Sequence, residues 1–514
     1  MKQVIATFML LFLAACNNDN LSGTPEHIID QVKINVIETE NYKVAPVTTP
    51  QDIKSYGWNQ TCGIPVLSEE DKTSFTFNFT APELHEDQQY CFEFNATTSK
   101  NTKYTTKTTI NVVAPTLELY IDNASLPTLH QLMHIIESYE ENLTRTRFIS
   151  WGRVSITDEQ VRDMLNISTF PLVSNNTSQK LVDAVKSYAQ SKNRLNIEIY
   201  SNTTHALKNI KPIISSLSGN PNVNIAEINL YDDGSAEYIN LYNWKNTPNK
   251  IDALNADLLV MKDYVEGYST QSPSYMSSRY NWHKLYDTEY HFLRADYLTI
   301  EPNLNDLRDY LGNSLEQMDW GKFEQLSKAK QQLFLSIVGF DKDSLEKSYA
   351  NSPNKNFVFT GTTTWAGNET REFYAKQQIN VINNAINETS PLYLGEEYDL
   401  FFKGHPRGGD INNMILNAFK DMINIPASIS FEVLMMTGSL PDKVAGIASS
   451  LYFTIPAEKV DFIVFTSSDD ITDREEALKS PLVQVMMKLG IVEKQAVQFW
   501  SDLPNCESGV CINN

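Results

Sequence analysis

Four short stretches of this chain set reactive or small residues directly after an apolar run. The first ends in Tyr231-Asp232-Asp233-Gly234-Ser235. A carboxylate just past a strand can act as a general base. Adjacent side chains point apart, so one acid serves a site and the other serves the turn. A metal is a second reading, but metal sites gather carboxylates from several places and none cluster with this pair. A plain turn is the third. The second stretch carries Lys403, Gly404, His405, Pro406, Arg407, Gly408 and Gly409 after Leu400-Phe401-Phe402. This local basic, flexible loop suits an anion, and the histidine can give a proton to a leaving phosphate near neutral pH. A solvated strand end is the plainer alternative. The spacing is not that of a Walker loop.

The third stretch is Ser449-Ser450, following Gly446-Ile447-Ala448. Paired hydroxyls with adjacent backbone N–H groups can hold a phosphate. The fourth is Glu432, in a strand-to-helix region, where an acid can accept hydrogen bonds from a ribose diol. Neither is specific alone. The chain has no G-x-S-x-G elbow and no dinucleotide fingerprint.

The elements that would position these residues fall into segments with different patterning. From 26 to 112, short period-two runs recur: Val32 to Ile37, Ser74 to Phe79, Tyr90 to Phe94 and Thr108 to Val113. With Trp58 they predict an immunoglobulin-like β-sandwich, a structural or binding module without a catalytic group. From Ala114-Pro115 onward, strands and helices alternate. Leu117 to Ile121, Leu195 to Tyr200 and Val223 to Leu230 read as strands, and Ala206 to Leu217 as a helix. A helical, connective stretch runs from about 303 to 347. A second alternation follows, with Phe357 to Phe359, a helix from about Thr370 to Asn387, then Tyr398 to Phe402, Ile429 to Val433, Gly446 to Ser450 and Phe462 to Thr466. The pattern predicts α/β architecture, with two parallel-sheet halves and a ligand cleft between their strand C-termini.

The chain of 514 residues carries 63 acids and 42 Lys and Arg, a formal charge of −21. A surface that acidic disfavours nucleic acid. The start, one Lys and a short apolar run ending Leu13-Ala14-Ala15-Cys16, reads as a secretion signal with a lipobox, and Cys16 as the lipid-bearing residue. The expected product is an exported bacterial lipoprotein, anchored to the cell-envelope membrane through that lipid. An oxidising compartment favours the disulfides Cys62–Cys91 and Cys506–Cys511. No Cys and His lie at zinc-ligand spacing.

Taken together, Tyr231 to Ser235, Phe359 to Trp365, Phe402 to Pro406, Ile429 to Met436 and Val444 to Phe453 resemble the bacterial sialyltransferases of glycosyltransferase family 80. The resemblance covers about 115 to 505. The β module and lipoprotein-like start look like the marine Photobacterium members, especially the α2,6-sialyltransferases. The resemblance implies a GT-B fold: two Rossmann-like domains with a deep cleft between them. The boundaries read as a signal segment 1–16, a tether 17–25, the β-sandwich 26–112, an acceptor-side domain 113–354, a CMP-donor domain 355–496, and a tail 497–514 packing back on the N-terminal half.

The implied activity is inverting, metal-independent transfer of sialic acid from CMP-sialic acid to a galactoside hydroxyl, with the galactose 6-OH favoured. No cofactor is implied, only the donor substrate, and the acceptors are galactose-terminated glycans such as lactose or N-acetyllactosamine. A monomer is expected. Position by position, Asp233 resembles the general base and His405 the residue that stabilises or protonates the departing phosphate. Ser449 and Ser450 match the phosphate pair and Glu432 the ribose acid. Lys403, Gly361 and Pro406 fall around the cytidine, with Ser235 and Asn175 also on the donor side. Trp365 matches a tryptophan that packs on the acceptor sugar, and His205 and Arg407 fall at acceptor positions. The alternatives are an α2,3-sialyltransferase of the same family, a sialidase, which would need paired acids across a cleft, and a glycan-binding surface lipoprotein.

Overall fold

The computed structural model describes residues 29–141, 144–363, 370–395, 397–467, 471–507 and 510–512. Cys16 and Trp365 lie outside these described residues. The chain divides into two compact units, one ending at Val113 and the other beginning at Ala114.

In the first unit, a four-stranded sheet has the order Ile29–Ile37, Lys103–Val113, Gln88–Thr98, Ile53–Cys62. The first pair is parallel and the others are antiparallel. The strands Asn41–Val44 and Phe77–Thr80 form a separate antiparallel pair. Period two decides which side chains go inward: Tyr90, Phe92, Phe94 and Ala96 alternate into the core. There Trp58 meets Phe77 and Phe77 meets Phe92 edge-on, at 5.2 and 5.1 Å between centroids. The expected strand at 74–79 begins later, at Phe77. The residues before it follow a short helix, Glu69–Thr73, which Ser68 and Asp71 close with a capping box. Cys62 and Cys91 are bonded across neighbouring strands.

The second unit holds two parallel sheets. The first has the order Leu315–Gln317, Thr288–Phe292, Val223–Tyr231, Leu195–Asn202, Thr116–Asp122, Arg145–Trp151, Ile167–Thr169. The second has the order Ile423–Ile425, Tyr398–Lys403, Lys355–Thr360, Lys443–Ile447, Val460–Phe465, Val497–Phe499. Counted along the chain, the second sheet reads 3-2-1-4-5-6, the doubly wound order, and the first reads the same with a seventh strand added. Helices cover both faces, so the central strands are buried along their whole length: every residue of Thr116–Asp122 is buried, including the acidic Glu118 and Asp122. In each sheet the order reverses between strands one and four, and loops leaving that point diverge to opposite faces.

Two sequence expectations need correction. The segment 429–433 is not a strand: Glu432 lies in the first turn of the helix Phe431–Met436. Among the described residues, the tail is hydrogen-bonded to the second half. Val497–Phe499 is the edge strand of the second sheet, and beyond it Asn380 and Asn383, on the helix Arg371–Ile386 of that same half, donate to the carbonyls of Pro504 and Cys506 at 3.1 and 2.9 Å. The return crossing comes earlier. Val483, Val485 and Met486, from the helix Pro481–Lys488, join the core of the first sheet. This apolar stripe carries the crossing, whereas the described part of the tail carries the edge strand, the buried Leu503 and a short disulfide-closed ribbon, Cys506–Cys511.

Candidate active site

A cavity of about 720 Å³ opens between the two sheets' switch points. From the first half come Ser125, Leu129, Gly152, Arg153 and Ser155. From the second come Thr360, Gly361, Thr363, Lys403 to Arg407, Ser428, Ser430, Glu432, Ser449 and Ser450. Eight of the residues singled out from sequence therefore line one cavity: Gly361, Lys403, His405, Pro406, Arg407, Glu432, Ser449 and Ser450.

The second half positions them by its strand ends. Strand one ends at Thr360, and the Gly361 N–H donates to Lys403 O of the neighbouring strand at 3.0 Å. Strand four ends at Ile447 and leads to Ser449, whose Oγ accepts from the Leu451 N–H at 3.4 Å and caps a 3₁₀ turn. Gly446, in this strand, has φ +137°, and a Cβ there would drive into the Thr360 backbone. Only glycine lets strands one and four approach so closely.

His405 accepts at Nδ1 from the Arg407 N–H at 3.1 Å. That bond fixes the neutral ring as the Nε2–H tautomer, with Nε2 free to donate. Burial lowers its pKa, and the cations Arg407, Lys403 and Arg153 lower it further. Lys403 is 5% exposed and donates through Nζ to the carbonyls of Gly404 and Ala427 at 3.0 and 3.3 Å. Burial pulls it down to about 8, opposed by Glu432. Glu432 itself accepts from the Ser430 hydroxyl.

The two neighbouring acids of the first half have different surroundings. Asp232 is fully buried and saturated: the N–H groups of Gly234 and Leu293 donate to it at 2.6 and 3.1 Å, as does the Tyr238 hydroxyl. It builds the turn. Asp233 is half-buried, and its Oδ1 has no hydrogen-bond partner. Burial raises its pKa, as does Glu237, while Arg279 and Thr204 lower it. Gly234, at φ +103°, starts the helix Ser235–Trp244, and a Cβ on it would lie 3.2 Å from Ser450 Cβ. The Asp233 loop thus abuts the serine pair of the other half.

Asp233, Ser235 and His205 do not line the large cavity itself. His205 is half-buried at the start of the helix Ala206–Leu217, where its N–H donates to Asn202 Oδ1 at 2.7 Å. Its pKa is lowered by burial, then by Lys208 and Arg279, and Arg279 also acts on Asp233. Asn175 is exposed on the tight turn of the hairpin Leu172–Val173 and Asn176–Thr177, at φ +62°, and is not among the lining residues. Sequence reasoning passed over Arg153, Ser125, Ser428, Ser430 and Thr363. The Thr363 hydroxyl lies 3.4 Å from His405 Nδ1. Thr363 sat inside a quoted motif, but Arg153 and Ser125 had no local signal, because strand order alone brings them to the cavity. Among the described residues, no group of three His, Cys, Asp or Glu side chains is arranged to hold a metal.

Comparison with known proteins bears on this site. A family described as Sialyltransferase PMO188 matches residues 117–495, and a PKD-domain family matches 33–112. Among solved structures, a sialyltransferase from Photobacterium damsela is 60% identical over 92% of this chain and 99% of its own, with a TM-score of 0.87. A 2,6-sialyltransferase from Photobacterium sp. JT-ISH-224, solved with the donor product CMP and the acceptor lactose, is 55% identical over 96% and 100%, with a TM-score of 0.83. An α/β-galactoside α-2,3-sialyltransferase from Photobacterium phosphoreum is 33% identical over 76% and 99%, with a TM-score of 0.65. No curated protein matches the chain. These similarities agree with a GT-B pair of Rossmann-like domains preceded by an immunoglobulin-like module.

Proposed function

The chain belongs to the Sialyltransferase PMO188 family, and we propose that it transfers sialic acid from CMP-sialic acid to a galactoside, at the galactose 6-hydroxyl, with inversion and without a metal. The observation that carries this reading is the meeting of the two halves: Asp233, whose carboxylate keeps one oxygen unpartnered, sits on a loop whose Gly234 abuts Ser450, a residue lining the cavity that also holds His405. The 55%-identical relative with CMP and lactose supports the donor and acceptor classes and the linkage.

In this reading the donor's phosphate rests on Ser449 and Ser450, its ribose on Glu432 and its base near Gly361, Lys403 and Pro406, with Ser235 and Asn175 on the sialyl side. The acceptor galactose lies among Trp365, His205 and Arg407. Asp233 takes the proton of the attacking hydroxyl as that oxygen bonds to the anomeric carbon. The bond from that carbon to the phosphate oxygen breaks, and the charge gathering on CMP meets His405 Nε2–H and the flanking cations. One monoester leaves, not a pyrophosphate, so hydroxyls, a proton donor and protein cations suffice for its charge. Base and acid come from opposite halves, so closure of the cleft assembles them and excludes water.

The assignment of the base is tested by Asp233→Ala. Turnover is expected to fall at least about 10²-fold, with CMP affinity by calorimetry retained. Turnover near wild type would refute the assignment.

We further propose that the chain acts as a monomer, exported and anchored through a lipid on Cys16. Metabolic palmitate labelling is expected for the wild type and not for Cys16→Ser. Equal labelling of both would exclude this anchor.

A further inference from the structure

Behind the Asp233 loop lies an ion pair sealed from solvent. Glu237 is fully buried and Arg279 is 1% exposed. Glu237 accepts from Arg279, from the Tyr280 hydroxyl and, at 2.7 Å, from the Thr203 hydroxyl. Arg279 also donates to the Tyr275 hydroxyl at 2.7 Å and to Thr204 Oγ1 at 3.0 Å. The loop bearing Thr203 and Thr204 is joined to the strand before Asp233, because the Thr203 N–H donates to Tyr231 O at 2.8 Å. A buried pair of this kind is a weak source of stability, and well-packed apolar residues often serve as well. Its position suggests another use. The Thr204 hydroxyl receives the Arg279 N–H, keeps its own proton to offer, and acts on the Asp233 carboxyl.

The charges that face Asp233 sharpen the case. Asp232 stands beside it on the same loop, Asp122 faces it from the end of Thr116–Asp122, and Glu237 from the helix Ser235–Trp244. Against these three acids stands the Arg279 guanidinium, from the turn Ser277–Tyr280, which also acts on His205. Without that cation, the carboxylate would sit half-buried among acids.

We propose that Arg279, working through Thr204, is a positioning residue that keeps Asp233 ionised and holds its free oxygen toward the acceptor hydroxyl. The proposal rests on the reading of Asp233 as the base. Glu237 orients the guanidinium, and Thr204 carries its influence to the carboxylate. Proton abstraction therefore persists to lower pH than a half-buried acid among acids would allow.

The test is the pH profile of kcat/KM of the full chain with CMP-sialic acid and lactose. Thr204→Val keeps shape and leaves the buried pair intact. It is expected to move the acid limb upward by roughly 0.5–1 pH unit, with plateau kcat within about threefold and donor KM unchanged. Arg279→Lys, which keeps the charge, is expected to shift the limb less than Arg279→Met, with each variant's fold checked by thermal melting. An acid limb unmoved within about 0.2 unit in Thr204→Val, while Asp233→Asn is inactive, would overturn the positioning role and leave the base assignment standing. Wild-type turnover by Asp233→Asn would overturn both.

Discussion

The same side chain does different work on neighbouring positions here. Asp232 and Asp233 are identical in type and adjacent in sequence, yet the first is saturated by three donors and the second keeps an oxygen unpartnered. The sequence supports the division of labour, because adjacent side chains diverge. It does not say which acid takes which part, since the donors from Leu293 and Tyr238 arrive through tertiary structure. Asp122 is a third acid of this group. It is fully buried, accepts from the Ala124 N–H and from Asn202 Nδ2, both at 2.8 Å, and burial pushes its pKa up to about 7. An acid whose folded pKa is raised holds its proton longer in the folded chain than in the unfolded one. Its contribution to stability is complete below the unfolded value near 4 and is lost as pH rises through about 7. Asparagine imitates the protonated acid. Denaturant midpoints measured from pH 4 to 8 should therefore fall less with rising pH in Asp122→Asn than in the wild type, and equal slopes would contradict the account.

At the scale of elements, strand ends supply most of the chemistry. The loops after strands one and four of the second sheet bring Gly361 and the serine pair together, and the end of strand two and the loop after it bring Lys403 and His405. These positions were legible as an apolar run followed by reactive residues, and the period-two and alternating patterns located most strands. Three features were not legible. Glu432 sits on a short helix whose apolar residues read equally well as a strand. The tail's partner depended on which helix offered it side-chain amides. Arg153 reaches the cavity only through strand order. The junction of strands one and four gives this scale its prediction. At φ +137°, with the Thr360 backbone in the way, Gly446→Ala should lower stability by about 1–3 kcal/mol and weaken CMP binding measured by calorimetry. Wild-type melting and affinity would show that the close approach is dispensable.

Across the whole molecule, the charge of −21 and the local basic site serve different ends. The acidic surface disfavours polyanions, while Lys403, His405 and Arg407 gather at one strand end and the loop that follows it, with Arg153 facing them across the cavity. The β module carries one disulfide and a dense aromatic core of its own, and none of the proposed donor- or acceptor-contacting residues. The two parallel sheets carry the proposed reaction, with the base on one and the phosphate-binding groups on the other. The most direct measurement is product analysis with the intact chain. Incubated with CMP-sialic acid, lactose and EDTA, it should yield sialyllactose whose NMR spectrum shows the sialic acid on the galactose 6-hydroxyl. A 3-linked product would contradict the linkage. Free sialic acid as the sole product, or no product until a metal is restored, would contradict the proposed transfer itself.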